Sequence, residues 1–248
     1  MPRFFVKADQ VRDTEIIIIG EDVKHIKNVL RKQIGDIVEI CNQETEKAYK
    51  CEISNLSEEQ IKSKIIEEIS SDYDKIKVDI YQGLPKADKM ELIIQKSIEL
   101  GAHAIIPVDM KRCIVKLDSK SETKKIERWQ KIAESAAKQS GRNILPKVSR
   151  VVQIKDLIEL QNKYDAIIVC YENEKENFLK NELLSLKRQG KQELHIAIVI
   201  GPEGGLEEND VQYLKTNGAK IVTLGNRILR TETVALNVLS IIMYELEN

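Results

Sequence analysis

Hydrophobic and polar positions follow one rhythm up to about residue 72 and another after it. In the first part, "DIVEIC" from Asp36 and "KAYKCEIS" from Lys47 alternate with period two, separated by the polar "NQETE". "IKSKIIEEI" fits a further strand or a helix. "EDVKHIKNVLRKQIGD" places Val23, Ile26, Val29 and Leu30 on one helical face and stops at Gly35. These elements predict a small β-barrel-like module with one helix. The polar "SSDYDK" at 70–75 marks a boundary, giving domains of 1–72 and 73–248.

Past that boundary, strands and helices alternate. "IKVDIYQG" reads as a strand, and "KADKMELIIQKSIELG" as a helix carrying Met90, Ile94, Ser97 and Ile98 on one face. "AHAIIPV" is a strand, and "RCIVKL" leads to the long helix "SETKKIERWQKIAESAAKQSG". Next come the strand "YDAIIVCYE", a charged helix over 174–188 and the strand "LHIAIVIG". A helix from about Leu206, the strand "AKIVTLG" and a last helix from Thr231 close the series. Near-continuous apolar strands separated by helices imply an α/β fold with a mostly parallel sheet covered on both faces.

Composition narrows the class. Of 248 residues, 42% are hydrophobic and 32% charged, as in a globular chain with ample core. No apolar run approaches the ~20 residues that span a bilayer, and "MPRFFVKADQ" carries no signal-peptide core. The expectation is a cytoplasmic protein with no membrane partner. Cys41, Cys51, Cys113 and Cys170 show no CxxC spacing, and the three histidines stand apart in sequence. Buried free thiols and no metal centre are expected. Net charge is −1, yet residues 111–150 hold twelve Lys/Arg against four Asp/Glu. That excess suits a phosphate-bearing partner or a solvated helix face equally well.

In an open parallel sheet, ligands bind beyond the carboxyl ends of the strands. Three such ends are unusual here: Cys170-Tyr171-Glu172, the "IGPEGG" turn from Ile200 to Gly205, and "LGNRILRTET" from Leu224. The glycines allow close backbone approach, and a helix beginning near Leu206 would aim free N–H groups into the pocket. Neither G-x-x-x-x-G-K-[ST] nor G-x-G-x-x-G is present. The loop therefore suits an adenosine-containing ligand without phosphates. Arg227 and Arg230 supply charge at the third strand end. Arg230 is either a free cation or the partner of Glu203 or Glu232, and Thr231 is either a functional residue or simply the N-cap of a helix that is apolar almost all round.

"GLPKADKMELIIQKSIELG", "RWQKIAESAAKQSGRNILP", "IGPEGGLEENDV" and "LGNRILRTETVAL", in this order, resemble the ribosomal RNA small subunit methyltransferase E family. "MPRFFV" and "HIKNVLR" extend the resemblance over the whole chain. It implies a PUA-like RNA-binding β-barrel followed by a SPOUT-class α/β domain with a deep C-terminal trefoil knot, acting as a homodimer. It implies S-adenosylmethionine as cofactor and methylation of N3 of a uridine in 16S rRNA, with free rRNA or the small ribosomal subunit as partner. The cofactor-binding residues it implies are Cys170, Tyr171, Glu172, Ile200, Gly201, Gly204, Gly205, Leu224, Gly225, Ile228, Leu229 and Thr231. Val234 stands where the family more often has alanine, a change expected to affect packing alone.

For such a transfer, the N3 proton must leave or the imide anion be stabilised. A guanidinium near O2 or O4 does the second, and Arg230 is the expected catalytic residue. Glu203 and Glu232 are expected as proton acceptors or as carboxylates that orient it. Arg3, His25, Arg31 and Arg142 are the expected RNA contacts. Two other readings remain open: a non-catalytic RNA-binding or ribosome-assembly protein with this fold, and a nucleotide-dependent enzyme gripping phosphates in the glycine loop.

Overall fold

The structure is a computed structural model that describes residues 3–69 and 75–247. The chain forms two compact units, one of Met1–Asp72 with Ala137–Leu145, the other of Tyr73–Ala136 with Pro146–Asn248. The boundary expected within 70–75 falls mostly on residues outside the described ones.

The first unit is a five-stranded sheet. Its strands are β1 (Arg3–Val6), β2 (Glu15–Ile19), β3 (Ile37–Asn42), β4 (Ala48–Leu56) and β5 (Gln60–Ile69), in the order β1-β3-β4-β5-β2. The "IKSKIIEEI" segment is thus a strand. β1 runs parallel to β3 and every other pair is antiparallel. No hydrogen-bonded ladder joins β1 to β2 among the described residues, so the sheet is an open version of the expected barrel. Phe4, Ile16, Ile18, Ile40, Ile53 and Ile61 fill its inner face, and Val23 and Ile26 of the helical segment complete the core.

That helical segment departs from the expected amphipathic helix. α1 (Glu21–Lys24) passes directly into a π-turn over His25–Val29, closed by the Leu30 N–H donating to the His25 carbonyl at 2.9 Å. The wider turn breaks the 3.6-residue rhythm. Ile26 stays buried while Val29 rotates out to 68% exposure.

The second unit is a six-stranded sheet. Its strands are β6 (Ile76–Gly83), β7 (Ala104–Val108), β8 (Lys147–Val148), β9 (Ala166–Cys170), β10 (Leu194–Ile200) and β11 (Lys220–Val222), in the order β11-β9-β10-β6-β7-β8. Every ladder in it is parallel. The helices are α2 (Lys89–Glu99), α3 (Ser119–Ser140), α4 (Ile154–Glu159), α5 (Leu179–Arg188), α6 (Glu208–Thr216) and α7 (Thr231–Leu246). Met90, Ile94, Ser97 and Ile98 are all buried, as their spacing predicts. The apolar α7 packs against α2, α5, β6 and β10.

The charged stretch expected as helix from Glu174 begins instead as a turn. The Glu174 carboxylate accepts the backbone N–H groups of Lys175, Glu176 and Asn177, which hold the chain in a non-helical loop until α5 starts at Leu179. α6 likewise starts at Glu208. The four cysteines are buried and unbridged. Two of the three histidines are not isolated in space: His103 and His195 both meet Asp79, against the expectation drawn from their sequence spacing. No helix among the described residues is long and apolar enough to cross a membrane.

Candidate functional site

β11, β9 and β10 are neighbours in the sheet, so their carboxyl ends open side by side. The chain leaving them at 170–172, 200–205 and 223–231 encloses a cavity of about 500 Å³. That volume lies within the ~300–1,000 Å³ of small-molecule sites. All twelve residues expected to bind the cofactor line it, as do Glu203 and Arg230. Lys89, Lys175, Pro202, Thr223, Asn226, Arg227 and Val234 line it too. Val234 is thus placed at the wall of the cavity. Glu232 is not part of the wall, although its carboxylate is tied to a residue that is.

The sequence shapes this wall through backbone rather than side chains. Gly205 sits at φ +71°, and a Cβ there would lie 2.3 Å from Glu172 Oε1. Any other residue there takes a strained left-handed backbone and pushes the flexible Glu172 carboxylate aside. Thr231 locks two of the loops together. Its hydroxyl donates to the Gly201 carbonyl at 2.7 Å and accepts from the buried Gln82 amide at 2.8 Å. Arg112, from the loop after β7, donates to the Gly204 carbonyl at 3.0 Å and braces the turn from behind. The N-terminus of α6 does not line the cavity, so the expectation that its N–H groups point there is not met.

Electrostatics at the rim centre on a residue the sequence reading passed over. Lys89 Nζ lies 3.1 Å from Glu203 Oε1 and 3.3 Å from Glu232 Oε2, joining the 200–205 loop to the first turn of α7. The Lys86 backbone N–H donates to the same Glu203 carboxylate. Burial works to raise the Glu203 carboxyl, but backbone N–H groups and Lys89 outweigh it and hold it below its ordinary value. The signal for Lys89 was present in "KADKME", a lysine at the first turn of a helix that follows a strand end. Cys170 is buried in the wall, and burial pushes its thiol up to about 12.

Arg230 is exposed and caps α7, and its guanidinium has no side-chain partner among the described residues. The alternative in which Glu203 or Glu232 holds it is not what the structure shows, because Lys89 takes both.

The expected RNA contacts fare unevenly. The Arg3 guanidinium is committed within its own unit, to Glu39, the Gly141 carbonyl and Asn143. His25 is half-buried, edge-on to Phe4 with ring centroids 6.1 Å apart. Arg31 is exposed at φ 52°, and Arg142 is half-buried. Within 111–150, Lys111, Lys116, Arg128 and Lys138 are paired with acids, which leaves a smaller basic face than the residue count suggests.

Comparison with known proteins follows the same two-unit division. The RNA methyltransferase domain model matches residues 72–243, and the RNA methyltransferase PUA domain model matches 18–66. The ribosomal RNA small subunit methyltransferase E of Bacillus subtilis is 40% identical, covering 100% of this chain and 98% of its own. Its namesake in Mesomycoplasma hyopneumoniae is 31% identical over 97% of this chain and 98% of its own. Among solved structures, the Neisseria gonorrhoeae enzyme of that name, bound to S-adenosyl methionine, superimposes with a TM-score of 0.80 at 28% identity, over 98% of this chain and 97% of that one. A Legionella pneumophila structure in complex with SAM gives a TM-score of 0.81 at 26% identity, over 98% and 96%. The chain belongs to the ribosomal RNA small subunit methyltransferase E family.

Proposed function

We propose that this chain transfers the methyl group of S-adenosylmethionine to N3 of one uridine in 16S rRNA. The observation that carries this reading is a free guanidinium, Arg230, at the rim of a pocket that both flanking carboxylates leave to Lys89. The pocket fits the cofactor chemically. Its walls combine the glycine-rich 200–205 turn, Glu172 and apolar residues such as Ile200 and Leu229, and its two lysines are engaged, Lys89 with Glu203 and Glu232 and Lys175 with the Glu172 carbonyl. When bound there, S-adenosylmethionine supplies an electrophilic methyl group on a sulfonium.

The chain's own residues do the rest. Residues 170–172, 200–205 and 224–231 hold the cofactor and fix its orientation, a positioning effect that lowers a barrier by several kcal/mol. Arg230 stabilises the negative charge that develops on the uracil imide as N3 loses its proton. Glu203 is kept ionised by Lys89 and the Lys86 N–H, as a proton acceptor must be, but that same grip makes it a weak base. Anion stabilisation by Arg230 therefore carries the larger share. The target base leaves its stack to reach the pocket. His25, Arg31, Arg142 and the unpaired lysines of 111–150 meet the RNA. The working form is a homodimer in the cytoplasm, with the loops at 200–205 and 223–231 threaded as a trefoil knot.

The test is transfer of label from S-adenosylmethionine to small-subunit rRNA. Arg230→Ala is expected to lower kcat by about 10²–10³-fold with cofactor affinity and circular dichroism unchanged. Full activity in that variant removes Arg230 from the mechanism. Failure of the unmodified protein to label small-subunit rRNA overturns the function.

A further inference from the structure

At the other end of the same sheet lies a cluster that the cofactor pocket does not use. β10, β6 and β7 are consecutive neighbours, and their register sets Asp79 opposite both Ala197 and Ala104. His195 lies two residues before Ala197, on the same face as Asp79, and His103 immediately precedes β7 with its N–H bonded to the Val78 carbonyl. Asp79 Oδ1 is 2.7 Å from His103 Nδ1, and Oδ2 is 2.9 Å from His195 Nε2. One oxygen of the carboxylate and the two ring nitrogens all lie within 4.8 Å of one another.

We propose that Asp79, His103 and His195 form a binding site for one divalent cation of the zinc class, tying together three neighbouring strands. Two imidazoles and a carboxylate are the donor set such cations take, with bonds of about 2.0–2.2 Å. In tetrahedral geometry two ring nitrogens on one cation stand about 3.3 Å apart, so closure draws the ligand atoms together by about 1.5 Å at most. On binding, any proton carried by His103 Nδ1 or His195 Nε2 leaves to the other ring nitrogen or to solvent, so that the coordinating nitrogen offers its lone pair.

The surroundings are built as a ligand's support would be. The Tyr164 hydroxyl donates to Asp79 Oδ2 at 2.9 Å and exchanges a 2.8 Å hydrogen bond with Tyr81, which fixes the carboxylate. The Tyr164 ring also packs edge-on against His195, with centroids 4.7 Å apart. The His195 backbone N–H is anchored on Asp165 at 2.8 Å. Both histidine side chains keep 26% exposure, which leaves a route for the ion and room for water as a further ligand. Asp79 lies four positions before the end of β6, about 13 Å along the strand. The site is therefore structural and independent of methyl transfer.

Cobalt(II) titration of the full chain, read by visible d–d absorption, and zinc titration by calorimetry test this. One ion per chain is expected, together with a melting temperature that rises with zinc. His103→Gln and His195→Gln should each abolish both signals while circular dichroism stays native. Tyr164→Phe, which removes the hydroxyl's bonds to the carboxylate and to Tyr81, should weaken affinity about 10–100-fold. A wild-type protein that takes up neither metal overturns the proposal without recourse to variants. So does uptake that survives both histidine substitutions, since the ion then sits elsewhere.

Discussion

Gly205 shows how a single hydrogen-for-methyl difference sets the pocket. Its φ of +71° strains any other residue, and a Cβ would meet Glu172 Oε1 at 2.3 Å. Gly218 has φ +90° but open space around its missing Cβ. Both alanine variants should lose about 1–2 kcal/mol from the left-handed backbone. Only Gly205→Ala should also weaken S-adenosylmethionine binding, by at least about tenfold, or 1.4 kcal/mol. Calorimetry on the two proteins decides it, and equal affinities would mean that the Glu172 contact does not shape the site. Thr231 makes a second test at this scale. Thr231→Val keeps the shape but strips the Gly201 carbonyl and the Gln82 amide of a partner, which should cost about 1–3 kcal/mol in urea unfolding. An unchanged midpoint would show that other contacts hold the two loops.

Between elements, the ammonium of Lys89 ties α2 to the 200–205 loop and to α7. The sign of its pH effect follows from Glu203. A carboxyl held below its ordinary value stabilises the fold above that value, and the contribution is lost as pH falls through the folded pKa. Lys89→Met should therefore be less stable than wild type near neutrality. The gap should narrow as pH drops below the ordinary glutamate value of 4.5. Urea unfolding across that range is the measurement, and a gap independent of pH would detach Lys89 from the carboxylates. Elements of this kind were legible where hydrophobic rhythm is set by burial alone. β6, β10 and α2 read cleanly because both faces of the sheet are covered and one face of the helix is buried. Where side chains bond to backbone, rhythm misleads. Glu174 gathers three N–H groups and delays α5, and a π-turn rotates Val29 outward. β8 and α4, two and six residues long, are too short to carry a period. The Asp79 cluster was invisible for a different reason: its ligands lie 24 and 116 positions from Asp79, and only strand order brings them together.

Across the whole molecule, the first unit reclaims residues from the middle of the chain. Ala137–Leu145 belongs with the sheet of Met1–Asp72, although α3 runs into it without any change of pattern. Arg3 and Lys138 hold this union together. Arg3 reaches Gly141, Asn143 and Glu39, and Lys138 pairs with Asp22 at 2.6 Å. An arginine so placed, with its side chain 18% exposed, is spent on the fold before any RNA arrives. Arg3→Met should therefore lower stability, by about 1.5–3 kcal/mol for the loss of hydrogen bonds to a charged group. S-adenosylmethionine affinity should not change, because every residue lining the pocket lies in the other unit. Thermal unfolding, cofactor calorimetry and the KM for rRNA on one preparation separate the two roles. A lower melting temperature with cofactor affinity intact assigns Arg3 to the fold. An unchanged melting temperature with a raised KM would return it to the RNA-gripping role its sequence position suggests.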